Sequence, residues 1–395
     1  MAAVGSLAPS RHTFGGIPMK ITKVETFKYW VEWRNWLFVK VSTDEGLYGW
    51  GEASMPGPAE SVETAIHEIA ATLIGQDPAG LERHWHAMYH RWRRRGGETL
   101  MTALSGLDIC LWDIEAKRLG VPLYRLLGGP HRTMMRVYAS RWLRGAKTPQ
   151  EAHDGAVEAV RRGFRGFKWT PFFADQLREN EARAFAHAKE LMGAARAGAG
   201  PETEIYVDCL EQLSPRTAVM AARAFEPYRP AWFEEPIPYE NTKVMARLQR
   251  ELPVPIATGE RLLSRWDFRD LLDQGACQII QPDVVHAGGI TEVRKIAAMA
   301  EMYYVSVAPH NSGGPICNLA TMHLVASIPN FLVLEQMEEE RAIRDALCTN
   351  PVKYENGFFH LPTGPGLGTD LRLELFEDRS FKPQPGSGST ESRWY

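Results

Sequence analysis

The sequence predicts an α/β fold in which parallel strands alternate with helices and close into a barrel of about eight strands, as in a TIM barrel. Three observations predict it. Between residues 204 and 310 short apolar runs recur at an even spacing, each followed by a longer mixed polar and apolar segment. The interval suits a strand–helix unit, the connection that parallel strands require. Second, each run ends in a titratable residue. EIYVD ends at Asp208, PAWFE at Glu234, PIATGE at Glu260, QIIQPD at Asp283 and YVSVAPH at His310. Packing does not explain five such ends in succession, whereas a barrel gathers all of its strand ends into one mouth. Third, RVYAS and GFRGFKWT before these runs and NFLVLEQ after them complete the strand count.

The chain of 395 residues, 44% of them hydrophobic, can bury a large core and has room for about two domains. A formal charge of −3 lacks polyelectrolyte character, so neither nucleic acid nor a membrane surface is expected as a partner. Cys110, Cys209, Cys277, Cys317 and Cys348 show no paired or zinc spacing and read as reduced thiols of a cytoplasmic protein. No apolar run approaches the roughly 20 residues that span a bilayer. The start of the chain lacks a charged region followed by an apolar one, so no signal peptide is expected. Residues 1–18, rich in Gly, Ser, Ala and Pro, read as a disordered extension. The final PQPGSGSTESRWY has linker composition, with Trp394 and Tyr395 available to dock.

From Lys20 the chain is rich in β-branched and aromatic residues, with Asp44-Glu45-Gly46 as a hairpin turn. Trp30, Trp33 and Trp36 cluster here, either as sheet core or as a loop over a pocket. SVETAIHEIAATLIG follows as a helix with Val62, Ala65, Ile66, Ile69 and Leu73 on one face, Gly75 as its stop and His67 turned to solvent. Arg91, Arg93, Arg94 and Arg95 read as a solvated helix end rather than a nucleic-acid patch. A third segment, TALSGLDICLWDIEAKRLG, is helical, and its Asp108 and Asp113 read as helix-surface or packing carboxylates. At Arg136 the barrel texture begins. Helices are expected over 152–162 and 179–194, then the five units above, and past residue 346 the chain returns to turns and short strands.

The chemistry sits at the strand ends. Asp208, Glu234 and Glu260 converging on one mouth would repel one another unless a divalent cation neutralised them, and oxygen-only ligands suit Mg²⁺. Glu235 points to the other face of its strand and reads as structural. His310 reads as a proton-transfer group, with Asp283 placed to hold its second nitrogen and raise its basicity. Glu335 reads either as a protonated carboxyl that hydrogen-bonds a substrate carboxylate or as an ion-pair partner. Lys168 is the one cation expected at the mouth, either neutralising a substrate carboxylate or acting as a base.

These residues carry a resemblance. VSTDEGLYGWGEA, SGLDICLWDIEAKRLGVPLYRLLGG, WFEEP, TGERLLSRWDF, IIQPDVVHAGGITEVRKIAAMAE, APHNSGGPI and PGLG together resemble the enolase superfamily, in its mandelate racemase-like group, and its sugar-acid dehydratases above all. The likeness spans residues 19 to about 371. It implies a modified TIM barrel of the (β/α)₇β type under an α+β capping domain built from N- and C-terminal segments. The expected boundaries are 19–135 for the cap, 136–346 for the barrel and 347–395 for the segment packing back on the cap. It also implies Mg²⁺ on Asp208, Glu234 and Glu260, an Asp283–His310 dyad, Glu335 near the substrate carboxylate, and a homo-oligomer of even number. Two departures stand out. Relatives with Lys-x-Lys on the second strand use the second Lys as a base, and here Lys168 is followed by Thr170. Galactonate-type dehydratases carry a His two residues after the first metal Asp, and here that position is Leu210.

The function this implies is abstraction of the proton α to the carboxylate of a small-molecule sugar acid, followed by loss of water. A two-base racemase is disfavoured because Thr170 and Leu210 fill the opposing positions. A cycloisomerase of a sugar-acid lactone or anhydro sugar acid, whose leaving oxygen stays tethered, and a catalytically silent metal-binding scaffold are the alternatives.

Overall fold

The computed structural model describes residues 19–383. The expected extension at 1–18 and the terminal Trp394 and Tyr395 lie outside the described residues.

Strands β1 (Ile21–Val31), β2 (Arg34–Thr43) and β3 (Tyr48–Glu52) form an antiparallel meander. The expected turn at Asp44-Glu45-Gly46 joins β2 to β3. Side chains of β2 alternate between two cores, as the strand period demands. Leu37, Val39 and Val41 face helices α1 (Ala59–Ala70), α2 (Leu81–Tyr89) and α3 (Glu98–Arg118). Trp36 and Phe38 face the other way, into the core shared with the barrel. The sequence GLYGWGE is explained at β3. A Cβ on Gly49 would strike the carbonyl of Cys110, and one on Gly51 that of Gly106, so only glycine lets β3 lie on the α3 backbone. Asp108 and Asp113 are both buried, and neither is a surface carboxylate. Asp113 accepts from the Trp50 and Leu367 amides, and Asp108 accepts from the amide and hydroxyl of Thr291.

Eight strands follow. These are β4 (Met134–Ser140), β5 (Gly166–Trp169), β6 (Glu204–Asp208), β7 (Trp232–Glu234), β8 (Ile256–Thr258), β9 (Ile279–Ile280), β10 (Ser306–Val307) and β11 (Leu334–Met337). Each pairs in parallel with the next from β4 to β10. A bridge from Val307 to Phe331 links β10 to the chain entering β11, and β11 pairs in parallel with β4. The hydrogen-bonded path therefore returns on itself. A helix follows each of the first seven strands, as a (β/α)₇β barrel requires. Its interior is filled by Tyr138, Tyr206, Trp232, Ala257, Ile279, Ala308 and Val333. The helix after β4 runs Pro149–Arg161, earlier than expected, because Thr148 and Glu151 form a capping box. After β5 a short helix, Ala174–Glu179, precedes the long one, Glu181–Ala199, which is capped by Asn180.

Beyond residue 347, β12 (Tyr354–Glu355) and β13 (Phe358–His360) form a hairpin whose second strand lies antiparallel to β4. The chain then crosses to the first sheet. Phe376 packs on Phe27, Tyr29 and Phe38, and Asp370 accepts hydrogen bonds from the Tyr48 hydroxyl and the Trp50 indole. All five cysteines are free and buried. Among the described residues no helix is long and apolar enough to cross a membrane.

Candidate active site

A cavity of about 620 Å³ opens at the carboxyl ends of the barrel strands. Every residue singled out at the strand ends lines it or stands directly behind it. Asp208 and Glu234 close β6 and β7 and are register partners. Tyr206 and Trp232, two residues earlier, fill the barrel, so period-two alternation turns both carboxylates inward. Glu260, Asp283 and His310 follow just past β8, β9 and β10. Lys168 and Glu335 lie within β5 and β11.

Lys168 is buried, with Nζ 2.5 Å from Glu234 Oε1, 3.0 Å from Glu335 Oε1 and 4.0 Å from Asp208 Oδ2. Burial alone would lower its pKa, but Glu234 and Glu335 raise it well above the usual lysine value. These carboxylates hold Lys168 in its charged form where it stands. Glu234 Oε2 also accepts from the Trp232 indole at 3.0 Å. Burial pushes Asp208 up to about 6 and Glu234 up to about 7, although Lys168 opposes both, and burial likewise raises Glu260. These shifts have one cause, several carboxylates buried together with a single ammonium among them.

The donor set fits a hard divalent cation, since three oxygen-only carboxylates stand on adjoining strands and their charge is under-compensated. Among the described residues no three such groups are gathered at coordinating distance. Glu234 is turned to Lys168 and Trp232 instead.

His310 is held as expected. Its Nδ1–H donates to Asp283 Oδ2 at 2.5 Å, and its Nε2 lies 3.8 Å from Glu260 Oε2. Asp283 is fully buried, and its other oxygen accepts from the Val285 amide at 2.7 Å. Burial works against both ions. Even so, His286 and His310 hold Asp283 below the usual carboxylate value, and Glu260 and Asp283 push His310 up to about 9.

Glu335 departs from one expectation. Its Oε1 accepts from Ser140 Oγ at 2.5 Å and its Oε2 from the Asn311 amide at 2.9 Å. Burial raises its pKa, but Lys168, His310 and these donors outweigh burial and bring it to about 2. Glu335 thus has the surroundings of the ion-pair alternative. Glu235 faces away, buried and paired with Arg261.

Lys168 is not the one cation at the mouth. Arg34, Arg141, Arg144 and Arg261 line the cavity too. Each stands on a loop or at a strand edge, where no hydrophobic period marks it. His286 was also missed. It lines the cavity with Nε2 4.0 Å from Asp283 Oδ2 and Nδ1 2.8 Å from the Thr102 hydroxyl, and burial lowers its pKa. Its position three residues after Asp283 was the available signal. Of the three tryptophans only Trp33 reaches the cavity, while Trp36 is core. Pro56 joins Trp33 at the rim, and Thr170 and Leu210 form part of the wall.

Comparison with known proteins agrees with this geometry. The family described as mandelate racemase / muconate lactonizing enzyme, N-terminal domain, matches residues 20–128, and that described as enolase C-terminal domain-like matches residues 151–375. The D-galactonate dehydratase of Pectobacterium atrosepticum is 38% identical over 368 residues, covering 92% of this chain and 94% of that protein. The D-galactonate dehydratase of Ralstonia nicotianae is 39% identical with the same coverage. A solved member of the enolase superfamily from Salmonella Typhimurium superposes with a TM-score of 0.86 at 30% identity, over 92% of this chain and 98% of that one. A mandelate racemase/muconate lactonizing enzyme from a Sulfitobacter species gives 0.84 at 32% identity, over 94% and 97%. The barrel, the cap-like first sheet and these matches agree, and the chain belongs to the mandelate racemase/muconate lactonizing enzyme group of the enolase superfamily.

Proposed function

We propose that this chain is a Mg²⁺-dependent hydro-lyase that removes water from a sugar acid to give a 2-keto-3-deoxy acid. The observation that carries the reading is His310, braced by Asp283 at 2.5 Å and facing the cavity that Asp208, Glu260 and Lys168 also line. The dehydratase names of its relatives support the reaction class. The sugar is not carried over from them, because Leu210 stands where galactonate-type relatives have a His. Residues 136–346 are read as the catalytic barrel and 19–135 as its cap.

Members of the superfamily bind a divalent metal. In this chain Asp208, Glu234 and Glu260 would hold it. When bound, it supplies positive charge that stabilises the electron density gained by a substrate carboxylate as its α-proton leaves. Lys168, fixed and charged, reinforces that field from β5. Asp283 holds Nδ1–H of His310 and so leaves Nε2 as the base. With Glu260 carrying its full charge beside Nε2, the imidazole stays protonated. A cation held by Glu260 would offset that charge, and His310 would then work as a base nearer neutral pH. His310 Nε2 then takes the α-proton, and the C–H electron pair forms the Cα–Cβ double bond. The Cβ–O bond breaks as His310 returns the proton to the departing hydroxyl, water leaves, and the enol becomes the keto acid. One imidazole serving both transfers makes the elimination syn.

Keto-acid formation from a library of acid sugars with Mg²⁺ tests the reading. At least one sugar acid should be converted by the native chain and not by His310→Asn. A library with no keto acid formed, or undiminished product from His310→Asn, would overturn it.

A further inference from the structure

We propose that the substrate carries a second anionic group at the end remote from the reacting carboxylate, and that Arg141 and Arg144 hold it. This rests on the reading of the cavity as an acid-sugar site.

The cavity's cations divide into two kinds. Lys168 is engaged by Glu234 and Glu335, and Arg261 by Glu235 and Glu260. Arg34, almost fully buried, is engaged by Glu340 at 2.8 Å and by the Ser312 carbonyl. Arg141 and Arg144, on the loop that follows β4, line the same cavity, yet among the described residues neither guanidinium has a hydrogen-bond or ion-pair partner. The remaining carboxylate of the wall, Glu98, is exposed, and among the described residues no ion pair joins it to Arg141 or Arg144.

Arg141 is also held in place. Its guanidinium lies 5.0 Å from the centre of the Trp33 ring, which carries Arg34 at 4.4 Å as well. The Trp33 indole donates to Glu340 at 3.1 Å, which fixes the ring. Stacking on an aromatic face positions a guanidinium without using its N–H donors. All five remain available for an anion, and their planar fork matches a carboxylate or a phosphate. The backbone at Arg141 is left-handed, with φ 55°. Arg141, half-buried, and Arg144, exposed, thus bring two positive charges without a carboxylate partner to this cavity. A sugar acid with one carboxylate has none to offer once that carboxylate sits among Lys168 and the strand-end carboxylates. A diacid or a terminal phosphate ester does.

Calorimetric titration of the full chain in Mg²⁺ tests this with three probes: a six-carbon aldonate, the corresponding aldarate and the aldonate 6-phosphate. The native chain should bind one dianion roughly 10-fold or more tightly than the aldonate. Which dianion binds better tells carboxylate from phosphate. Arg141→Asn, chosen because Asn tolerates left-handed backbone, and Arg144→Gln, at an exposed position, should each shrink that ratio, and the double variant should bring it near one. The melting temperature of each variant checks its fold. Equal affinity for all three probes, no binding of either dianion, or a ratio unchanged in the double variant would each overturn the proposal. Keto-acid formation is scored separately. Preferred dianion binding without product defeats the dehydratase reading alone, and turnover of the aldonate with no dianion preference defeats this proposal alone.

Discussion

On the proposed mechanism, Lys168 and His310 divide the labour of the mouth by their surroundings. Lys168 is paired with Glu234 and Glu335, whereas the imidazole of His310 stands between Asp283 and Glu260. If Asp208, Glu234 and Glu260 hold the metal, Glu260→Gln and Glu234→Gln should each weaken Mg²⁺ binding by more than the roughly 10–100-fold that loss of an outer-shell partner costs. Direct Mg²⁺ titration measures this, and unchanged binding in both variants would contradict the assignment. Asp283→Asn should leave the fold intact and lower kcat by roughly 10²–10⁴-fold, because the imidazole loses both its orientation and the charge that raises its basicity. The carboxylates and the dyad were legible in sequence because each ends an apolar run. Arg141, Arg144, Arg261 and His286 were not, because loop residues follow no period. Which partners Glu335 would find was equally hidden, since Ser140, Lys168 and the Asn311 amide arrive from three other segments.

Strands β9 and β10 have two residues each, yet they place Asp283 and His310 within hydrogen-bonding distance. The precision comes from the elements behind them. The helix Gly289–Met302 docks on α3 through Asp108, which accepts from Thr291 Oγ1 at 2.6 Å and from its amide at 3.0 Å. Gly289 has φ 76°, and a methyl there would meet Asp108 Cβ at 2.6 Å. Gly289→Ala should therefore cost about 1–3 kcal/mol through backbone strain and steric conflict, seen as a lower melting temperature. An unchanged melting temperature would show that this junction yields. The sequence marked the strands well and the helix starts less well. Thr148 and Glu151 carry a capping box that moves a helix start to Pro149, and Asn180 caps the next helix.

Over the whole molecule the barrel and the first sheet are joined by the C-terminal segment, and His323 sits at that junction. It is fully buried on the helix Pro315–Val325, with Nδ1 accepting from the Tyr124 amide and Nε2–H donating to the Leu367 carbonyl. Burial brings its pKa down to about 4, although the Leu367 contact opposes this. The unfolded chain therefore takes up a proton below about 6.5 that the native state refuses, and stability falls as pH drops from there towards 4, by roughly 3 kcal/mol at most. His323→Gln should flatten that part of the melting-temperature profile, and superimposable profiles would contradict the account. The barrel was legible because its strands are spaced evenly along the chain. The tie between residues 347–383 and the first sheet followed from family resemblance, since contacts such as Phe376 with Phe27 and Phe38 join distant segments that share no local pattern. What these parts serve is the imidazole at the mouth, and exchange of the substrate α-proton tests that claim most directly. In D₂O with Mg²⁺ and a turned-over sugar acid, the native chain should form keto acid, and His310→Asn should show neither α-proton exchange nor product. Persistent exchange in His310→Asn would place the base on another residue and contradict the account.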